Sequence, residues 1–190
     1  MGMPAIVDHQ WTAAEVSALP EVPGKRFEVV DGALLVSPSP THVHERAVFW
    51  LRSVITAYVA AAPRIGEALG SHSDVLLDDF TLVQPDVFAA PLVDGRRPRN
   101  AGEMHHLMLV VEVVSPGSQR TDRVIKRRRY QRAADEYWVV DTEARLIERW
   151  RAADDRPEIL TETIAWQPVG REVPLVLELA ALFREAFAEE

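Results

Sequence analysis

Eight consecutive residues, Leu107-Met108-Leu109-Val110-Val111-Glu112-Val113-Val114, are apolar except for Glu112. A run this continuous suits a central strand covered on both faces, where alternation between core and solvent is not needed. Next comes a basic stretch that reads as a helix, and then Glu136-Tyr137-Trp138-Val139-Val140, which reads as a second strand. Strand, helix, strand in that order predicts a parallel, right-handed crossover and therefore an α/β chain with a mixed sheet. Glu112 is the anomaly in this pattern. A carboxylate buried in hydrocarbon must be paired, protonated or bound to a metal. Asp86, in Leu82-Val83-Gln84-Pro85-Asp86-Val87-Phe88, raises the same question.

The remaining elements follow from local signals. Phe27 to Val36 holds two apolar runs separated by Asp31-Gly32, the strongest short hairpin signal, because its two-residue turn needs positive φ. Ser39 and Pro40 read as N-cap and first turn of a helix running to about Ala62. Its residues Val43, Ala47, Trp50, Leu51, Val54, Ile55, Tyr58 and Val59 recur at helical period. Short strands are expected at Ile65–Leu69, Asp74–Leu77 and Thr81–Phe88, built consecutively into a sheet. Arg145–Trp150 and Glu158–Trp166 read as a meander, and Leu175–Phe187 as a closing amphipathic helix. Residues 1–25 read as an N-terminal extension with one helical turn, Thr12–Val16, and 26–190 as one domain.

Charge and composition limit the chemistry. The chain contains no cysteine, so any metal must take oxygen or histidine ligands, which favours a hard ion such as magnesium or manganese. No run approaches the roughly 18 apolar residues of a membrane span, and no signal segment stands at the start, so a cytoplasmic protein without membrane contact is expected. A net charge of −8 argues against coating nucleic acid through the overall field. Between Arg120 and Arg132, however, seven cations face Asp122 alone. Such a run is commonly a solvated helix face; its position directly after the Glu112 strand gives it a second reading, contact with a phosphate backbone by Arg120, Arg123, Arg127 and Arg128.

Divalent-metal cleavage of a phosphodiester needs carboxylates to hold the ion and a cation to stabilise developing charge. Asp86 and Glu112 would supply the first and Lys126 the second, if the two strands bring their acids to one end of the sheet. Each residue also has a plainer reading. Asp86 would be a strand-end aspartate after proline, and Lys126 would pair with Asp122 four residues earlier on a helix surface.

These residues resemble a known family. Val110-Val111-Glu112-Val113-Val114-Ser115-Pro116-Gly117-Ser118, then Asp122, Lys126, Tyr130 and Glu136-Tyr137-Trp138-Val139-Val140-Asp141, look like the Uma-type "putative restriction endonuclease" family of the PD-(D/E)XK nuclease superfamily. Phe27-Glu28-Val29-Val30-Asp31-Gly32, Ser37-Pro38-Ser39-Pro40 with His44, and Pro85-Asp86 continue the match, over roughly residues 26–185. The resemblance implies a restriction-endonuclease-like fold: a central mixed β-sheet flanked by helices, with an N-terminal β-hairpin. It implies Asp86 and Glu112 as metal carboxylates, with Glu28, His44, Asp122 and Tyr130 as additional site residues. The superfamily's usual lysine lies two residues beyond the second acid, where this chain has Val114. The resemblance therefore assigns that cation to Lys126. One departure is Arg132-Ala133-Ala134-Asp135, which lacks the glycine common before the Glu-Tyr-Trp strand and puts the helix end in question.

The expected function is a magnesium-dependent DNA endonuclease that works as a homodimer by analogy. The alternative is a nuclease-fold module that binds nucleic acid or a protein without catalysis. A third reading makes Glu112, Lys126 and Asp86 a buried ionic network only.

Overall fold

The computed structural model describes residues 9–61, 63–71, 73–115 and 117–189. Its centre is a six-stranded sheet in the order β10-β9-β8-β7-β6-β3, and the pairs are antiparallel except for β7 with β8. Strand β7 (Leu109–Val114) is buried at every residue and lies in the interior of the sheet beside β8 (Glu136–Asp141). This is the parallel crossover and mixed α/β class expected from the sequence. Beyond β8 lie β9 (Leu146–Arg151) and β10 (Glu158–Leu160); beyond β7 lie β6 (Val87–Pro91) and β3 (Gly66–Gly70).

Two layers cover this sheet. On one face, α2 (His42–Ala60) and α4 (Leu179–Phe187) bury Leu51, Ile55, Leu182 and Phe183 against Leu109, Val111, Val113 and Trp138. On the other face, Val110, Val114 and Tyr137 pack with Tyr130 and with Val30, Val75 and Val83 of a second, four-stranded sheet. That sheet runs β2-β1-β5-β4, from β1 (Lys25–Val30), β2 (Ala33–Pro38), β4 (Val75–Asp78) and β5 (Thr81–Val83). The β1–β2 turn is the expected one, with Asp31 at φ 53° and Gly32 at φ 79°. Before β1, α1 (Ala13–Ser17) is closed by a capping box between Thr12 and Glu15 and packs Ala13 and Val16 near Val29 and Leu82.

The structure corrects several sequence expectations. Thr81–Phe88 is not one strand: β5 ends at Val83, β6 begins at Val87, and Asp86 sits in the gap between two sheets. Pro85 offers no N–H to a ladder, so the strand breaks there. The consecutive sheet expected from residue 65 onward is divided as well, since β3 and β6 join the large sheet while β4 and β5 join the small one. The cap of α2 is Thr41, whose hydroxyl accepts from the His44 N–H at 3.3 Å, rather than Ser39; the expected end at Ala62 lies outside the described residues. Glu158–Trp166 splits into β10 and β11 (Thr163–Trp166), and β11 pairs with β12 (Leu175–Glu178) instead of continuing the meander. The closing helix is correspondingly shorter and starts at Leu179.

The basic segment begins with a π-helical turn, Thr121–Lys126, and continues as α3 (Arg127–Ala133). In the wider turn the Asp122 carbonyl accepts from the Arg127 N–H five residues on and also from the Tyr137 hydroxyl, at 3.1 Å. Single π turns of this kind recur at functional sites. Helix α3 needs no glycine to stop. Ala134 is already extended, at φ −136° and ψ 154°, and forms a parallel bridge with Leu107.

Candidate active site

Asp86 owes its orientation to the break between β5 and β6. The paired register ends at Val87 opposite Val111, so β7 runs past the start of β6. The Val113 N–H beyond that point donates to Asp86 Oδ2 at 2.9 Å, and the Asp86 N–H lies 3.4 Å from Glu112 Oε2. The two acids thus meet at the C-terminal end of β7.

Alternation along β7 puts Glu112 on the same face as Val110 and Val114, toward the small sheet and α3. From α3 and its π turn, Lys126 Nζ donates to Glu112 Oε1 at 3.1 Å, and the Tyr130 hydroxyl donates to the same oxygen at 3.0 Å. Val114, on that same face, is only 5% exposed and packed in hydrocarbon. The cation therefore reaches Glu112 from the covering helix and not from the strand.

Glu28 approaches from β1. Its Oε1 accepts from the Gln84 N–H at 2.8 Å, and its Oε2 lies 2.8 Å from Lys126 Nζ in an ion pair whose angle falls outside hydrogen-bond geometry. Asp122 completes the contacts of the ammonium at 3.8 Å. His44, in the first turn of α2, brings Nε2 to 2.9 Å from Asp86 Oδ2. All seven of the acidic, basic and aromatic candidates lie in one neighbourhood, and Glu28, Asp86, Glu112, Asp122 and Lys126 are each less than 5% exposed. Beside them is a cavity of about 230 Å³, whose walls include His44, Asp86, Glu112 and Lys126 together with the hydroxyl residues Thr41 and Ser118.

Electrostatics divides the two acids. Burial opposes ionisation of Asp86, but the His44 contact, the Arg26 charge and the Val113 N–H outweigh it and hold the carboxyl down at about 2. Burial pushes Glu112 well above the usual carboxylate range; Lys126 opposes that shift, while Asp86, Asp122 and Glu28 add to it. Burial alone would discharge Lys126, yet Glu112, Glu28 and Asp122 raise its affinity for a proton and keep it an ammonium.

Four buried carboxylates thus share two fixed cations, Lys126 and Arg26, with His44 beside them. The oxygen donors of these carboxylates are of the kind a hard divalent ion takes. Among the described residues, no group of three or more His, Asp or Glu side chains is arranged to hold a metal ion.

Other candidates are placed differently. Arg123 is held by Asp141 at 2.7 Å and Glu148 at 2.6 Å, and Arg127 lies over the Trp150 ring and bonds Gln131. Both guanidiniums are engaged within the protein, because the acids of β8 and β9 and the β9 tryptophan reach across to the helix. Arg120 and Arg128 are exposed. Arg26 was missed in the sequence. Its guanidinium meets Asp86 Oδ1 at 3.2 Å and the Gln84 carbonyl at 2.7 Å. Strand alternation puts it on the same face of β1 as Glu28.

Comparison with known proteins places the chain in a family and a fold. Residues 13–182 match the Uma2 family, described as "Putative restriction endonuclease". The fold is similar to the crystal structure of a putative nuclease belonging to DUF820 from Anabaena variabilis ATCC 29413, with a TM-score of 0.73 and 19% identity, covering 93% of this chain and 99% of that one. No curated protein matches the chain.

Proposed function

The chain belongs to the Uma2 "putative restriction endonuclease" family, and from that membership and the buried acid–lysine cluster we propose that it is a magnesium-dependent endonuclease hydrolysing DNA phosphodiester bonds. The observation that carries the reading is the ammonium of Lys126, buried and 3.1 Å from a carboxylate whose other oxygen faces the Asp86 N–H. In this reading Asp86 and Glu112 hold the ion, with magnesium or manganese as alternatives. When bound, such an ion draws charge from the phosphoryl group and acidifies a water.

The chain's own groups do the rest. Lys126, held among Glu28, Glu112 and Asp122, offers its positive charge to the charge that builds on the phosphoryl oxygens. Tyr130 and Glu28 keep Glu112 and Lys126 in register, so little reorganisation is needed at the moment of reaction. Arg26 and His44 hold Asp86 ionised and ready as a ligand. Arg120 and Arg128 remain for contact with flanking phosphates. In this reading the protein works in the cytoplasm, where DNA is at hand, and pairing of two copies would address two strands.

Plasmid DNA incubated with magnesium tests the reading, with the Asp86→Ala and Glu112→Ala variants alongside. Metal-dependent loss of the supercoiled form by the wild type, absent from both variants, is expected. Cleavage that is equal in all three proteins overturns it.

A further inference from the structure

The catalytic cavity continues outward along the start of α2. Arg26 and Ser39 line both the cavity and a smaller hollow beside it, and that hollow shares Glu45 and Ser71 with a third, of about 670 Å³, that reaches Phe49 and Arg52. The path from the acids is short. The Ser71 N–H donates to the Asp86 carbonyl at 3.2 Å. A methyl group built on Gly70 would come within 2.5 Å of that carbonyl and 3.3 Å of Arg52 Cδ, so the Arg52 stem lies against the same bend of chain.

At the far end stands Phe49, 72% exposed. A lone exposed apolar residue is ordinary. This one is three positions from Arg52 on the same helix face, and among the described residues Arg52 has no ion-pair partner. An aromatic face beside a free guanidinium, in a groove leading to a phosphodiester site, is the arrangement that takes an unpaired nucleotide.

The site itself points the same way. Asp86 and Glu112 are 3% and 2% exposed, so a phosphate must leave the surface and enter a cavity of about 230 Å³. A duplex is stiff over tens of base pairs and carries its phosphates on an outer rail. A single strand can bend inward.

We propose that the groove from the cavity past Ser71 to Phe49 and Arg52 is the track for a single-stranded segment of the substrate, with Phe49 stacking a base and Arg52 holding a phosphate. This rests on the nuclease reading for the cavity, and it specifies a substrate with a single-stranded segment, such as a loop opened in supercoiled DNA, a flap or an end. Glu45, at the junction, repels phosphates and keeps the strand on the Ser71 side.

Binding of a labelled oligothymidine and of a blunt duplex of equal length, followed by fluorescence anisotropy without metal, tests the track independently of catalysis. Phe49→Ala should weaken single-strand binding by roughly tenfold or more, and Phe49→Trp should retain it. Arg52→Ala should weaken it and lower the salt dependence by about one phosphate contact. Duplex binding should change little. Single-strand binding by Phe49→Ala equal to wild type overturns the proposal. So does a wild-type dimer, seen by sedimentation, that Phe49→Ala converts to monomer with DNA affinity intact, because the face then seats a second copy. Oligonucleotide cleavage with magnesium should fall in Phe49→Ala, and the wild type should also hydrolyse bis(para-nitrophenyl) phosphate, which has no base to stack. If none of these proteins cleaves either substrate, the nuclease reading fails, and the binding result still decides the track.

Discussion

Lys126 Nζ lies 3.1 Å from Glu112 Oε1, a contact made by a side chain on the helix that covers β7 rather than by one on the strand itself. The relationship exists because Val114, two residues past Glu112 on the same strand face, is given to the apolar core. Its consequence is that the site's cation is also a packing element between two layers, so stability and chemistry are linked through one residue.

Removing that cation leaves Glu28, Glu112 and Asp122 buried together without their shared partner. Lys126→Met should therefore lower stability by about 3–5 kcal/mol, the usual cost of breaking a buried ion pair from one side. Adding Glu112→Gln to it should recover part of the loss. Urea unfolding measures both; a single variant within about 1 kcal/mol of wild type would contradict the buried network.

His44 makes stability depend on pH in a defined direction. Burial depresses the imidazole, but the hydrogen bond and the charge of Asp86 outweigh it and leave its folded-state value above the usual 6.5. Because the folded value is the higher one, the stabilisation is complete below about pH 6.5 and is lost as pH rises through the folded value. Thermal unfolding of wild type and His44→Gln across this range should show a gap that is widest on the acid side and narrows toward alkaline pH. A gap that widens with pH would show that Asp86 does not stabilise the protonated imidazole.

Gly70 should be intolerant of a methyl group although its φ is ordinary. The added atom would press on the Asp86 carbonyl at 2.5 Å, backbone that cannot simply rotate away. Gly70→Ala should cost about 1–3 kcal/mol in chemical denaturation, and calorimetry should show weaker magnesium binding as Asp86 is displaced. Gly117→Ala, whose methyl would meet nothing within 4 Å, should stay within about 0.5 kcal/mol. Equal effects at the two glycines would remove the claim that Gly70 supports the acid.

The fold was legible in the sequence where local signals and burial agreed. The continuous apolar run of β7, the Asp31-Gly32 turn and the period of α2 each have one physical solution, and all three stand in the structure. Partnering between strands was not legible. Thr81–Phe88 looks like a single strand because nothing local says that Val83 and Val87 belong to different sheets. For the same reason Leu175–Glu178 looks helical, since its apolar spacing also suits the strand that pairs with β11. In the candidate site, the anomalous acids Asp86 and Glu112 drew attention by being polar in apolar surroundings. Arg26 did not, because an arginine near the start of a hairpin strand is unremarkable until its partner across the fold is known. The partners of Arg123 were hidden for a like reason: the acids that engage it, Asp141 and Glu148, come from later strands.

The most direct test measures two properties of the Lys126→Met variant together: single-turnover DNA cleavage at saturating magnesium, and magnesium binding by calorimetry. The account predicts that cleavage falls by about 10²- to 10³-fold, as for loss of one preorganised charge stabiliser. Magnesium binding should persist or tighten, because a competing cation has left Glu112. Cleavage within a factor of about two of wild type, with the metal still bound, would contradict the assignment of Lys126 to the reaction.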